Sequence, residues 1–132
     1  MKRITMISFA LLVGLCLTTS AFAASKGAIK KQMIKKQVDE IVAAINGGKM
    51  AADFKSAAQN KPHYVFIMEE NGMLLVHPSL AGQSLKEKAA PAYTECAKAT
   101  PKGVWVSYVW KGKKKHTYVK KTKSGLIVGS GY

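Results

Sequence analysis

Three histidines, two cysteines and seven acidic residues are the side chains of this chain that could hold a metal, act as a nucleophile or move a proton. Their spacing assembles no known centre. His63, His77 and His116 form no HExxH, and neither CxxC nor CxxCH occurs, so zinc and covalent haem are not predicted. Serine, histidine and aspartate fall in no recognisable nucleophile setting. Glu69 and Glu70 sit beside a turn signal, where adjacent acids read as a solvated tip. Cys96 reads as a small buried hydrophobe. The sequence therefore predicts no catalysis, no metal and no cofactor, and the chemistry left to look for is binding. In the run Gly103 to Trp110, Trp105, Ser107 and Val109 share one side of a strand. If the next turn sets Ser107 opposite Tyr118, then Trp105 meets Lys120 and Val109 meets His116. One face then carries Trp105, Ser107, His116, Tyr118 and Lys120. An aromatic wall with a cation and hydroxyl donors is how a small organic anion is held. Two alternatives stay open: a one-residue change in turn length moves the partners across, and Trp105 and Tyr118 could fill a core while Lys120 reaches water. His77, at a strand end beside a loop, is either a donor at the mouth of such a site or a partner of the loop backbone.

These groups need a sheet to position them. Tyr64 to Pro78, YVFIMEENGMLLVHP, is two apolar runs around Asn71-Gly72, a tight-hairpin signal. With a two-residue loop, Phe66, Met68, Glu70, Met73, Leu75 and His77 share one face and Val65, Ile67, Leu74 and Val76 the other. Both faces are apolar, so both need covers. Ile29, Met33, Ile34, Val38, Ile41, Val42 and Ile45 fall on one helical stripe that Gly47-Gly48 stops, which supplies one cover. A weaker helical piece with Met50 and Phe54 on one side follows, from Lys49 to about Gln59. Ser84 to Lys98 predicts a helix that Pro91 interrupts or restarts, supplying the other cover. Gly103–Trp110, Lys115–Thr122 and Leu126–Tyr132 read as three further strands, joined at Gly112-Lys113-Lys114 and Lys123-Ser124-Gly125. The expected fold class is α+β: a five-stranded antiparallel sheet, a long N-terminal helix and a loop–helix insertion between strands 2 and 3. Gly129 and Gly131 share a face of the last strand and predict a slot for the N-terminal helix.

At the N-terminus, Lys2 and Arg3, the apolar run Ile7 to Leu17 and Ala21-Phe22-Ala23 form a secretory signal. The apolar run is too short for a membrane span, and Leu15 before Cys16 is unlike a lipidation site. The expected domains are residues 1–23 as signal peptide and 24–132 as one globular domain. Cleavage leaves Cys96 without a disulfide partner, and nineteen lysines against seven acids, a net charge of +12. That charge suits an acidic ligand, an anionic surface or a polyanion. With no arginine left, base-specific nucleic-acid recognition is not predicted.

The run YVFIMEENGMLLVHPSLAGQSL, followed after a spacer by GVWVSYVWKGKKKHTYVKKTKSGLIVGSGY, resembles the extracytoplasmic single Cache sensor domain, a relative of the PAS fold. The matching features are strand-Asn71-Gly72-strand ending in His77-Pro78, then Gly82, Gly103-x-Trp105 with Tyr108, Tyr118-Val119, and Val128-Gly129-x-Gly131-Tyr132. The resemblance implies a long helix on one sheet face and a small ligand between the other face and its covering loops. It departs from the family in ending at Tyr132, with no second hydrophobic segment or output domain, and in lacking the arginine and downstream aspartate that hold amino acids. The expectation is an exported, periplasmic or secreted module that binds a small organic anion through His77, Trp105, Ser107, Tyr118 and Lys120 and hands the signal to a membrane receptor or sensor protein. The alternative is a basic envelope-associated protein that binds anionic surfaces or polyanions.

Overall fold

The computed structural model describes residues 21–132, so the positive start and apolar core of the expected signal (1–20) lie outside the described residues. Helix α1 spans Ala21–Asn46. It ends in a Schellman motif, with Lys49 N–H donating to Ala44 O and Gly48 N–H to Ile45 O, both at 3.0 Å. Its buried stripe is Ile34, Val38, Ile41, Val42 and Ile45. Ile29 and Met33, expected on that stripe, are 52% and 58% exposed, so cover of the stripe by the sheet begins at Ile34. The next piece, Ala51–Gln59, is a 3-10 helix kinked at Phe54, with Asp53 Oδ2 accepting from Met50 N–H at 2.9 Å. It buries Ala51, Ala57 and Ala58 and leaves Met50 in water.

Strands β1 (Val65–Met68), β2 (Leu74–Val76), β3 (Val104–Trp110), β4 (Lys113–Lys121) and β5 (Ile127–Gly131) form one antiparallel sheet in the order β2-β1-β5-β4-β3. The last strand is thus the central one, which sets chain closure on long-range pairing. Between β2 and β3 lie the loop 77–84, α2 (Leu85–Lys88) and α3 (Ala90–Cys96). Pro91 restarts the helix, since Ala89 leaves helical geometry at φ −154° and Pro91 fits the first turn of α3.

Both hairpins correct the expected registers. At β1–β2, Gly72 N–H donates to Glu69 O and Glu69 N–H to Met73 O, each at 2.9 Å, while Asn71 Oδ1 accepts from Met73 N–H. Only Gly72 has positive φ there, so the connection is a three-residue loop closed by glycine rather than a two-residue one. With a bulge between Ile67↔Val76 and Met68↔Leu74, the register exchanges Leu74 and Leu75: Leu74 joins Phe66 and Met68, and Leu75 joins Val65, Ile67 and Val76. At β3–β4 the two-residue turn is Lys111-Gly112, both at positive φ, and not Gly112-Lys113-Lys114. Trp105 therefore faces Tyr118, Ser107 faces His116 and Val109 faces Lys114. The slip from the expected pairing is two residues, so every side chain keeps its face.

The sheet has two covered faces. On one, α1 and the 3-10 segment pack on Val65, Ile67, Val76, Tyr118 and Val128. On the other, α2 and α3 pack through Leu85, Ala92 and Cys96 on Phe66, Met68, Leu74, Val106, Val119 and Ile127. Gly129 belongs to this second face: a Cβ there would strike the Phe66 ring. The expected slot is therefore filled by Phe66 from the neighbouring strand, not by the N-terminal helix.

Candidate functional site

The structure brings Trp105, Ser107, His116, Tyr118 and Lys120 to one face, and that face is the one α1 covers. Trp105 and Tyr118 rings lie 5.4 Å apart, and Trp105 is 6.3 Å from Tyr132. Ser107 Oγ is 2.8 Å from His116 Nδ1 in an exposed position. Lys120 Nζ donates to Asp39 Oδ1 of α1 at 3.0 Å, and the Tyr118 hydroxyl lies 3.1 Å from the same oxygen. Lys35 Nζ reaches the other oxygen at 2.7 Å. The donors that sequence assigned to a ligand thus tie the helix to the sheet.

Asp39 answers to two opposing effects. Burial raises its pKa, but the bonds from Lys35, Lys120 and Tyr118 outweigh burial and leave it below the ordinary carboxylate value. Burial, then the Asp39 charge, pushes the Tyr118 hydroxyl up to about 12. A carboxylate with a depressed folded pKa adds stability above its unfolded pKa and loses it as pH falls through the folded one. Acid titration should therefore lower the melting temperature of the wild type more steeply than that of Asp39→Asn once the pH falls through the carboxylate range. Parallel melting curves for the two proteins would show that the Asp39 tie adds nothing.

His77 lies on the opposite face. The backbone N–H groups of Ser79 and Leu80 both donate to its Nδ1 at 3.0 Å. Nδ1 is therefore unprotonated, and the neutral ring carries its proton on Nε2. Burial, then the positive charges of Lys115 and Lys111, lower the His77 pKa to about 4. Of the two roles read for His77, partner of the loop backbone is the one observed, and it leaves Nε2–H as a donor of fixed tautomer.

His77 lines a cavity with Tyr64, Phe66, Leu74, Leu85, Ala92, Tyr108 and Trp110, between the sheet and the α2–α3 cover. Its volume is about 10 Å³, room for about one water. His77 lies edge-on to Tyr64 at 5.6 Å between ring centroids and 6.2 Å from Trp110. Lys115, opposite Tyr108 on β4, donates from Nζ to the Tyr64 hydroxyl at 2.8 Å. Among the described residues the ion pairs use Lys35, Lys36, Lys98, Lys120 and Lys121, and half-buried Lys115 is in none of them. Deeper in, Tyr108 accepts from Thr117 Oγ1 at 3.0 Å, and burial pushes the Cys96 thiol up to about 12. An aromatic wall, a cation and a protonated ring nitrogen thus meet here, on residues that sequence reasoning missed apart from His77. The alternation of Tyr108 and Trp110 with Lys113 and Lys115 across one hairpin was the available signal.

A five-stranded antiparallel sheet with its last strand central, a long helix on one face and a loop–helix cover over a cavity on the other is an α+β fold of the Cache/PAS-like type. A methyl-accepting chemotaxis protein from Vibrio parahaemolyticus RIMD 2210633 superposes with a TM-score of 0.54 at 16% identity, over 86% of this chain and 94% of that one. A Cache chemosensory domain described for carboxylic acid recognition gives 0.46 at 17% identity, over 87% and 97%. The ligand-binding domain of Mlp24 with asparagine gives 0.44 at 13% identity, over 63% and 35%. No protein-family model matches the chain, and no curated protein does. At such identities the likeness is one of fold. Among the described residues no helix is long and apolar enough to cross a membrane.

Proposed function

We propose that this chain is an exported sensor-type module that binds a small organic anion between the sheet and the α2–α3 cover. What supports the reading is one observation: a half-buried lysine in none of the ion pairs among the described residues, Lys115, beside an aromatic cavity on the face that α1 leaves to shorter elements. A carboxylate that takes the Lys115 ammonium gains a charge-assisted bond, and Nε2–H of His77 and the Tyr64 hydroxyl are the further donors at hand. The cavity has room for about one water, so binding requires Lys115 to leave Tyr64 or the cover to lift. Two short helices and a loop are the kind of element that opens locally at low cost. The bound state would then differ from the free one in the position of the cover, which a membrane receptor or other sensor protein can read.

A thermal-shift screen of short mono- and dicarboxylic acids tests this, with protein from the exported fraction, whose mass also reports whether the chain begins near Ala24. A ligand that binds only the folded state raises the melting temperature by mass action. The expected result is stabilisation by a specific small acid that persists at high salt. No stabilisation by any acid, or stabilisation that salt abolishes, would sink the reading.

A further inference from the structure

We infer that the end of the molecule formed by the β3–β4 turn and the exposed part of α1 is a docking face for an anionic lipid surface. The β3–β4 ribbon projects: β5 pairs with β4 only as far as Thr117↔Gly131, with Tyr132 closing on His116, while Tyr108–Trp110 and Lys113–Lys115 pair only with each other. Its tip carries Lys111, Lys113 and Lys114, all exposed, and among the described residues none of them pairs with an acid. The exposed part of α1 arrives at the same end. Lys30 Nζ sits 4.8 Å from the Tyr132 ring centroid and Lys31 Nζ 5.5 Å from that of Trp105. Glu69 and Glu70 lie at the other end of the sheet, beyond Met68↔Ile127, where Glu70 pairs with Lys121. The positive charge at the tip end is therefore not neutralised locally.

Charge alone would fit any polyanion. The lipid surface is singled out by what lies among the lysines: Ile29, Met33 and Val109 are 52%, 58% and 63% exposed, and half-buried Trp110 follows Val109 at the turn, on the other side of the ribbon. Lysines attract acidic headgroups, while exposed aliphatics and an indole gain by entering the boundary between headgroups and acyl chains. A soluble polyanion offers nothing to those apolar groups. This face shares Trp110 with the wall of the proposed ligand site, but neither His77 nor Lys115.

Co-sedimentation with phosphatidylglycerol-containing vesicles, against pure phosphatidylcholine vesicles, reads the affinity. The wild type should bind the former only. The triple variant Lys30→Gln, Lys113→Gln, Lys114→Gln should lose roughly tenfold or more of that affinity, since each lysine at an anionic surface counts. The triple Lys49→Gln, Lys55→Gln, Lys123→Gln removes the same charge elsewhere and should lose far less. In a Trp105→Phe background, fluorescence of Trp110 should shift to the blue on anionic vesicles. Equal losses for the two triples, or binding of soluble polyphosphate without binding of vesicles, would overturn the inference. Circular dichroism of each variant confirms the fold. Should the first triple misfold, the Trp110 shift and its suppression by salt decide on their own.

Discussion

Val38→Asp is expected to abolish the folded state at ambient temperature. Val38 is fully buried in the middle of α1, between Ile34 and Val42, in the cluster with Val65, Ile67 and Val128. A carboxylate there would be without a partner against the central strands, at a cost of several kcal/mol even after partial relaxation. The whole stability of a domain this size is about 5–15 kcal/mol. Val38→Ala, which only removes methyl groups, should cost about 2 kcal/mol and give a folded protein that melts lower. The pair separates a covering helix from a peripheral one by circular dichroism melts. A Val38→Asp protein that melts at the wild-type temperature would mean that α1 does not cover the sheet in solution. Because β1 and β5 each bury one face under α1 and the other under the cavity cover, loss of α1 should also remove any response to ligand.

The covering role of α1 was legible in its stripe because helical periodicity is local and its partner is a continuous apolar face. The end of that cover was not, since Ile29 and Met33 keep the period although the buried part of the stripe begins at Ile34. Asn71-Gly72 correctly announced a reversal. It could not announce that the Asn71 side chain would cap Met73 N–H and draw Glu70 into the loop, which puts Leu74 rather than Leu75 beside Phe66. In the second hairpin the register slipped by two residues, and the grouping of Trp105, Ser107, His116, Tyr118 and Lys120 survived because strand parity did. What alternation lacks is the assignment of a face to a cover. Both faces of β3–β4 carry aromatics and lysine, and only the tertiary contact of Asp39 with Lys120 and of Phe66 with Gly129 decides which side takes the helix and which keeps a cavity.

That assignment leads to a comparison of two lysines. Lys115→Met should weaken binding of the small acid found by the thermal-shift screen by ten- to a hundredfold, the effect of about 1.5–3 kcal/mol for a charge-assisted bond. The fold should hardly change, since Lys115 Nζ bonds only the Tyr64 hydroxyl and its methylenes have a counterpart in Met. Lys120→Met should do the reverse. It removes one of three donors to Asp39, lowers the melting temperature and leaves the ligand affinity within a few-fold of wild type. Isothermal titration at high salt reads both affinities with the general positive field screened. His77→Ala provides the third arm: it deletes the Nε2–H donor and frees Ser79 and Leu80 N–H, so it should weaken binding and loosen the loop 77–84 together. Larger loss for Lys120→Met than for Lys115→Met would return the site to the α1 face, with Trp105, Ser107 and Tyr118 as its walls. Equal small losses for both would leave the acid bound elsewhere and end the case for the cavity.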